Sequence, residues 1–114
     1  MSCGSIPVYD APITEDRVKI PLSLFVGNEV HIIRPAGFPY NIALQRKSDG
    51  TFLALLLRCT HADNQVNYGG NGYVCNLHGS RYDAAGEVTR GPATRPLRKL
   101  MAEVRDLSVL LSLA

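Results

Sequence analysis

The chain has few residues that could bind a metal or form a disulfide, since its 114 residues include three cysteines and three histidines. It also has no apolar stretch near the roughly 20 residues that span a bilayer, and no complete signal peptide. We therefore expect a soluble body without a transmembrane segment. An excess of one charge is missing as well, because twelve Lys and Arg face ten Asp and Glu. This balance argues against binding through counterion release, so nucleic acid is not an expected partner.

Most of the cysteines and histidines are concentrated in two short strings. Cys59-Thr60-His61 and Cys75-Asn76-Leu77-His78-Gly79 each supply one thiolate and one imidazole. A binuclear iron–sulfur cluster of mixed ligation needs that supply, because two histidines replace two cysteines on one of its two irons. The two strings therefore predict a [2Fe-2S] cluster.

Two other interpretations use the same residues. A structural disulfide between Cys59 and Cys75 is one, but it leaves the neighbouring histidines unexplained. A structural zinc-binding module is the other, although zinc sites usually have Cys-x(2–4)-Cys and His-x(3–5)-His spacing. An ultraviolet–visible spectrum separates zinc from the cluster, because zinc is colourless.

The outer parts of the chain have the pattern of an all-β protein. Pro21 predicts an edge position for its strand, and Asp49-Gly50 has the composition of a hairpin turn in which glycine accepts a positive φ. A second hairpin is predicted around Arg105-Asp106. The segment 52–57 is apolar enough to be buried on both faces, and no segment has a helical stripe. Strands are predicted over residues 17–22, 30–33, 40–45, 52–57, 100–104 and 107–113.

Residues 58–96 are rich in Gly and Asn and poor in large aliphatic side chains. This segment cannot build much hydrophobic core by itself, so we expect a bound metal to organise it. The length predicts a single domain over residues 1–114. Within it we expect a β scaffold (15–57 and 97–114), an inserted cluster-binding lobe (58–96), and an N-terminal tether or edge strand (1–14).

The two strings resemble the signature of the Rieske [2Fe-2S] family, since Cys-x-His is followed, after thirteen residues, by Cys-x-x-His-Gly. The similarity continues through Ser80-Arg81-Tyr82-Asp83. It extends to Gly91-Pro92-Ala93, which is similar to the proline loop that covers the cluster in this family. The resemblance implies an antiparallel, sandwich-like β scaffold with a small inserted cluster-binding lobe.

The resemblance also implies a ligand set and a function. Cys59 and Cys75 would bind the inner iron, and His61 and His78 would bind the outer iron near the surface. The oxidised centre would be neutral, so it would accept an electron more readily than a four-cysteine cluster. The implied function is one-electron transfer without catalysis, either as the ferredoxin of an oxygenase system or as the Rieske subunit of a quinol-linked complex. The expected donor and acceptor are proteins: a reductase, an oxygenase or a cytochrome.

Side chains around the cluster are expected to set its potential. Ser80 resembles the serine that donates to a bridging sulfide, and Tyr82 resembles the tyrosine that donates to a ligand thiolate in the higher-potential cytochrome bc type. That type also has a disulfide between the two strings, at the positions that are Asn64 and Leu77 here. In lacking it the chain resembles oxygenase ferredoxins. We predict an intermediate potential within the family's range of about −150 to +300 mV.

Two features lie outside this signature. His31 is predicted to be an ordinary strand residue, either at the surface or hydrogen-bonded, and one spare histidine cannot form the mononuclear iron site of an oxygenase catalytic subunit. A basic run is predicted either to be a solvated face or to steer an acidic redox partner. That run consists of Arg81, Arg90, Arg95, Arg98 and Lys99.

Cys3, followed by Gly4-Ser5, resembles the mature end of a bacterial lipoprotein and is a candidate lipid anchor. The alternative is an ordinary free thiol in a frayed terminus. An anchor would imply an exported, membrane-tethered protein, and a free thiol would allow a cytoplasmic one. The chain is expected to be a monomer.

Overall fold

The computed structural model describes residues 6–27, 29–69 and 71–113, which form an almost entirely β structure. This confirms the predicted fold class. Cys3 and the prediction attached to it lie outside the described residues. Within the described ranges no helix is long and apolar enough to cross a bilayer. The elements are β1 (Val8–Ala11), β2 (Arg17–Pro21), a 3-10 helix (Leu22–Phe25), β3 (Val30–Pro35), β4 (Ile42–Arg46), β5 (Phe52–Leu56), β6 (Asn67–Gly69), β7 (Gly72–Val74), β8 (Arg81–Asp83), β9 (Val88–Arg90), β10 (Lys99–Leu100), β11 (Ala102–Arg105) and β12 (Ser108–Ser112).

The strands are arranged in three sheets. The first has the order β1-β3-β4-β5-β10, and the second has the order β11-β12-β2. The third, which we call the lobe sheet, has the order β6-β7-β8-β9. β1 runs parallel to β3 at the edge of the first sheet, whereas the other pairs of the three sheets are antiparallel.

The central strands β3, β4 and β5 separate two hydrophobic cores. Successive residues of a strand point to opposite faces, so the neighbours Leu55 and Leu56 belong to different cores, as do Ile32 and Ile33. The scaffold core lies between the first and second sheets and is made of aliphatic side chains and one phenylalanine. The lobe core lies on the other face of the first sheet and takes Leu57 as well. The prediction that β5 is buried on both faces is confirmed.

The hairpin between β4 and β5 forms as predicted. Its turn contains Gly50 with φ of 87°, a conformation that glycine adopts without steric cost. Pro21 ends β2 at the edge of the second sheet, which also agrees with the prediction. A proline lacks the backbone N–H of a ladder, so an edge is where it can be accommodated.

The predicted continuous strand over residues 100–104 is wrong, because the chain passes from one sheet to another there. β10 pairs with β5 in the first sheet, and β11 pairs with β12 in the second, leaving Met101 in neither strand. The following turn is displaced by one residue, since Arg105 pairs with Ser108 and the turn is Asp106-Leu107. Apolar alternation continues across such a corner, so it does not reveal the change of sheet.

His31 lies on β3 as predicted, but it is buried, with 4% of its surface exposed. Its ring packs against Phe25 with centroids 4.8 Å apart. Among the described residues its Nδ1 has no hydrogen-bond partner. We expected His31 to be either exposed or hydrogen-bonded. The prediction is wrong, because the side chain is buried and its Nδ1 makes no hydrogen bond to the described residues.

The lobe sheet is attached to the central sheet by side-chain contacts. Gln45 on β4 donates from Nε2 to Tyr73 Oη at 3.1 Å and to the carbonyl oxygen of Ala84 at 2.6 Å. Gly86, with φ of 87°, packs so closely that a Cβ there would lie 2.9 Å from Leu55 Cδ2. The positive φ favours glycine at this turn, and a Cβ there would also force the Leu55 side chain to move.

Candidate metal centre

Two loops of similar construction carry the clustered cysteines and histidines. The first box, residues 59–64, follows β5, and the second box, residues 75–80, joins β7 to β8. In each box the cysteine N–H donates to the carbonyl oxygen five residues later, from Cys59 to Asn64 and from Cys75 to Ser80, both at 2.9 Å. Each loop is thus closed on itself and holds its cysteine near its histidine.

The thiols and the imidazoles have opposite burial. Cys59 is 4% exposed and Cys75 is 1% exposed, whereas His61 and His78 are exposed. The two imidazole rings lie side by side, with centroids 5.1 Å apart and planes at 86°. Both cysteines are free thiols, so the disulfide interpretation is wrong. The structure thus places the two thiols inward and the two imidazoles outward and side by side.

Hydrogen bonds converge on the sulfur of Cys59. The buried Tyr82 donates from Oη to Cys59 Sγ at 3.5 Å and accepts from the Thr60 N–H at 3.1 Å. Burial raises the pKa of the Cys59 thiol, but the hydrogen bonds from Tyr82 and from the N–H groups of His61 and Ala62 outweigh it and bring the pKa below its usual value. Burial, and then the contact with Cys59, raise the pKa of Tyr82. The site therefore favours an anionic sulfur beside a neutral phenol donor.

The sulfur of Cys75 also has a side-chain donor. Asn64, the last residue of the first box, lies with its Nδ2 3.4 Å from Cys75 Sγ. This contact was not predicted from the sequence, where Asn64 stands only as a position without a cysteine. No residue pattern in the sequence predicts the contact itself.

The segment that resembles the proline loop packs against the second box. Ser80 is fully buried, and its Oγ accepts the N–H of Ala93 at 3.0 Å. Ala93 is buried, whereas Gly91 and Pro92 are exposed and are joined by a cis peptide bond. The described residues give Ser80 no other side-chain hydrogen bond, so its hydroxyl proton is not committed to a protein acceptor.

A cavity of about 440 Å³ lies beside the first box. Its walls include His61 and the basic side chains of Arg58, Arg95 and Arg98. Asp63 also lines it and pairs with Arg58 at 3.1 Å. Three cations against one anion make this cavity positively charged, directly beside an exposed imidazole.

The donor set fits a binuclear centre. The two thiols are buried and the two imidazoles are exposed. This division into two pairs suits two irons with two protein ligands each. The donors Tyr82 and Asn64 and the uncommitted hydroxyl proton of Ser80 suit an anionic, sulfur-rich group.

Comparison with known sequences identifies the family. Residues 24–101 match the Rieske [2Fe-2S] domain family. The cytochrome b6-f complex iron-sulfur subunit 2 of Trichormus variabilis is 34% identical over 102 residues, which are 83% of this chain and 53% of that protein. The cytochrome b6-f complex iron-sulfur subunit of Prochlorococcus marinus is 45% identical over 89 residues, which are 76% of this chain and 50% of that protein. The chain thus spans about half the length of these curated relatives.

Solved structures share the fold. The cyanobacterial plasma membrane Rieske protein of Synechocystis PCC 6803 aligns with a TM-score of 0.63 and 24% identity over 81% of this chain and 94% of that chain. A chain of the complex of reduced oxygenase and oxidized ferredoxin in carbazole 1,9a-dioxygenase aligns with a TM-score of 0.59 and 22% identity over 88% of this chain and 95% of that one. The likeness of fold agrees with the sequence match over most of the chain. The chain belongs to the Rieske [2Fe-2S] domain family, whose cofactor is one [2Fe-2S] cluster.

Proposed function

We propose that this chain is a one-electron carrier, with Cys59 and Cys75 on the inner iron of its cluster and His61 and His78 on the outer iron. The observation that carries this proposal is the opposite burial of the two ligand types, which is repeated in both boxes. The bound cluster supplies one reversible electron acceptor. The chain itself forms no bonds in a substrate.

The side chains around the site leave one side of the cluster accessible to a redox partner. The buried thiols pack in the lobe core with Tyr82, which keeps water from the inner side. The exposed rings of His61 and His78 form the outer side, where a partner can approach closely. A protein that contacts these rings is separated from the cluster by a single imidazole, so we place electron exchange there.

Reconstitution with iron and sulfide tests the ligand assignment. We expect the wild-type chain to bind two irons and two sulfides with a coloured Rieske spectrum, and Cys59→Ser and Cys75→Ser to lose it. Cys3→Ser is the matched control, because it removes the third cysteine of the chain and should keep the spectrum. A full spectrum in Cys59→Ser, or a colourless zinc-bound wild type, would contradict the proposal.

The redox partner that the charges favour is an acidic protein. The basic run of the sequence divides in the structure: Arg81 and Arg90 are cross-strand neighbours on the lobe sheet, whereas Arg95 and Arg98 join Arg58 around the cavity beside the histidines. A carboxylate of the partner that enters this cavity would lie next to the electron exit. Complementary charge speeds such an encounter and loses its effect at high salt.

Reduction kinetics at several ionic strengths test this docking surface. Arg95→Glu should slow reduction by an acidic donor and flatten its salt dependence. Arg46→Glu is the control, because Arg46 pairs with Phe52 at the turn end of the β4–β5 hairpin, whereas the first box follows the other end. Equal slowing by both variants would mean that net charge, and not this cavity, governs the encounter.

Two pathways are consistent with these features. The relatives named as cytochrome b6-f subunits favour a quinol-linked chain, whereas Asn64 and Leu77 in place of two cysteines favour a ferredoxin of an oxygenase system. A redox titration separates the two, since the family's range is about −150 to +300 mV. A potential near the lower end supports the ferredoxin, and one near the upper end supports the quinol-linked subunit.

Lipid attachment at Cys3 and a monomeric state stay predictions. Mass spectrometry of the native protein would detect a lipid on Cys3, and its presence would place the protein on a membrane surface. A free thiol would contradict the anchor. Sedimentation of the cluster-bound protein would test the monomer.

A further inference from the structure

Asn64 connects the two boxes through a hydrogen bond to sulfur. Its Nδ2 lies 3.4 Å from Cys75 Sγ in the second box. Its own carbonyl oxygen closes the first box by accepting the Cys59 N–H at 2.9 Å. A single residue therefore belongs to the backbone of one box and contacts the sulfur of the other.

The orientation of the Asn64 amide is fixed by its neighbours. The same Nδ2 lies 3.3 Å from the carbonyl oxygen of Gln65. A carbonyl oxygen and a thiolate both accept hydrogen bonds, so only the NH₂ end of the amide can satisfy both. The reversed amide would place its oxygen against two acceptors. The donor therefore points at the sulfur of Cys75.

This contact makes the two sulfurs equivalent in one respect. Cys59 receives a side-chain hydrogen bond from Tyr82 at 3.5 Å, and Cys75 receives one from Asn64 at 3.4 Å. The Tyr82 donor was expected from the family resemblance, whereas nothing in the sequence marked the Asn64 donor. The side chain of Leu77 is 53% exposed and has no polar atom, so it cannot make a side-chain hydrogen bond between the boxes.

We propose that Asn64 is a positioning residue that links the two boxes by its hydrogen bond to Cys75 Sγ, and that this bond stabilises the reduced cluster. The proposal rests on the ligand assignment above, because Cys75 Sγ must be a ligand for the bond to affect the potential. A hydrogen bond to a ligand sulfur withdraws charge from it, which favours the state that carries the added electron.

Redox titrations of isosteric variants test this role. Asn64→Leu removes the donor without adding charge, and we expect the ratio of reduced to oxidised cluster at a fixed potential to fall about tenfold, a shift of about 59 mV for a one-electron couple. Asn64→Asp keeps the shape but replaces the donor with a carboxylate, so it should lower the potential further. Both variants should also lose the cluster to a chelator faster than the wild type.

The second box offers a matched control. Asn76 is the exposed neighbour of Cys75, and in the described residues it makes no hydrogen bond to sulfur. Asn76→Leu and Asn76→Asp make the same changes beside the same sulfur, and we expect much smaller shifts in potential than at Asn64. Equal shifts at the two positions would overturn the proposal.

The outcomes separate this inference from the proposed function. The ligand assignment is supported if the wild type has a Rieske spectrum and Cys75→Ser abolishes it. This result does not depend on the outcome for the Asn64 variants. Unchanged potentials in Asn64→Leu and Asn64→Asp, with intact spectra, would overturn the role of Asn64 alone. If Asn64→Leu assembles no cluster, the reduction potential of Asn64→Asp in the same titration tests the role of Asn64. Loss of the cluster from both, while both Asn76 variants keep it, would support the link between the boxes.

Discussion

The two cores on either side of the central sheet are built from different chemistry. The scaffold core is aliphatic apart from one phenylalanine, with residues such as Ile33 and Leu44 fully buried. The lobe core contains Cys59, Cys75 and Tyr82 among its buried side chains. Burial of an aliphatic side chain stabilises a fold directly, whereas a buried thiol or phenol needs a partner for its polar group.

This difference assigns a separate source of stability to each region. The scaffold can hold itself together through apolar burial between two sheets. The lobe sheet has four strands of three residues each and takes part of its core, including Leu55 and Leu57, from β5. Metal–ligand bonds would supply what so small a sheet lacks. If the scaffold and the lobe respond alike to the changes below, they do not have separate sources of stability.

The largest expected effect is that of removing the cluster. Amides of β7 and β8 should then exchange with solvent at least about 100-fold faster, because the lobe loses its metal–ligand bonds. Amides of β4 and β5 should change little. Hydrogen exchange measured with and without the cluster checks this, and a uniform increase across both sheets would show that the regions are not separately stabilised.

Truncation of a side chain in the scaffold core should instead destabilise the fold without affecting the cluster. Leu44→Ala is expected to lower the free energy of unfolding by about 3 kcal/mol, as for other large-to-small changes at buried sites, and to leave the reduction potential unchanged. Leu57→Ala makes the same change in the lobe core and should also accelerate cluster loss. Urea denaturation and voltammetry of the two variants measure these effects. A changed reduction potential in Leu44→Ala would show that the scaffold core and the lobe core are energetically coupled.

Loss of the donors in the lobe should shift the potential with little effect on the scaffold. Tyr82→Phe and Ser80→Ala are each expected to lower the potential, by an amount on the order of 60 mV, because each removes a hydrogen-bond donor beside the cluster. Tyr73→Phe is the matched control, since the hydroxyl of this buried tyrosine contacts Gln45 and not a sulfur. An unchanged potential in Tyr82→Phe or in Ser80→Ala would remove that residue from the set that tunes the cluster.

The smallest expected effect is a dependence of scaffold stability on pH. Burial lowers the pKa of His31, so below about pH 6.5 the unfolded chain binds a proton that the folded chain resists. This part of the stability is complete above that pH and declines as the pH falls towards the lower folded-state pKa. His31→Leu should reduce the loss of urea resistance between pH 7 and pH 5. An identical decline in the variant would assign the effect to other groups.

The sequence predicts those parts of the molecule in which local pattern and local structure coincide. Alternation predicts β4 and β5, Asp49-Gly50 predicts their turn, and the two boxes predict a metal centre. The change of sheet at Met101, the burial of His31 and the contact of Asn64 with Cys75 were not predictable. Each of these features depends on contacts between elements that are distant in the sequence. A period-two pattern shows which face of a strand is buried but not which element packs against it.

The adjacency of the two exposed imidazoles limits how the proposed carrier can be used. Their centroids are 5.1 Å apart, so His61 and His78 together form a single small contact area. Two folded proteins cannot both cover it, and the donor must leave before the acceptor arrives. The rate of dissociation then sets an upper limit on turnover. A partner that bound this face too tightly would act as an inhibitor of the electron flow it was meant to serve.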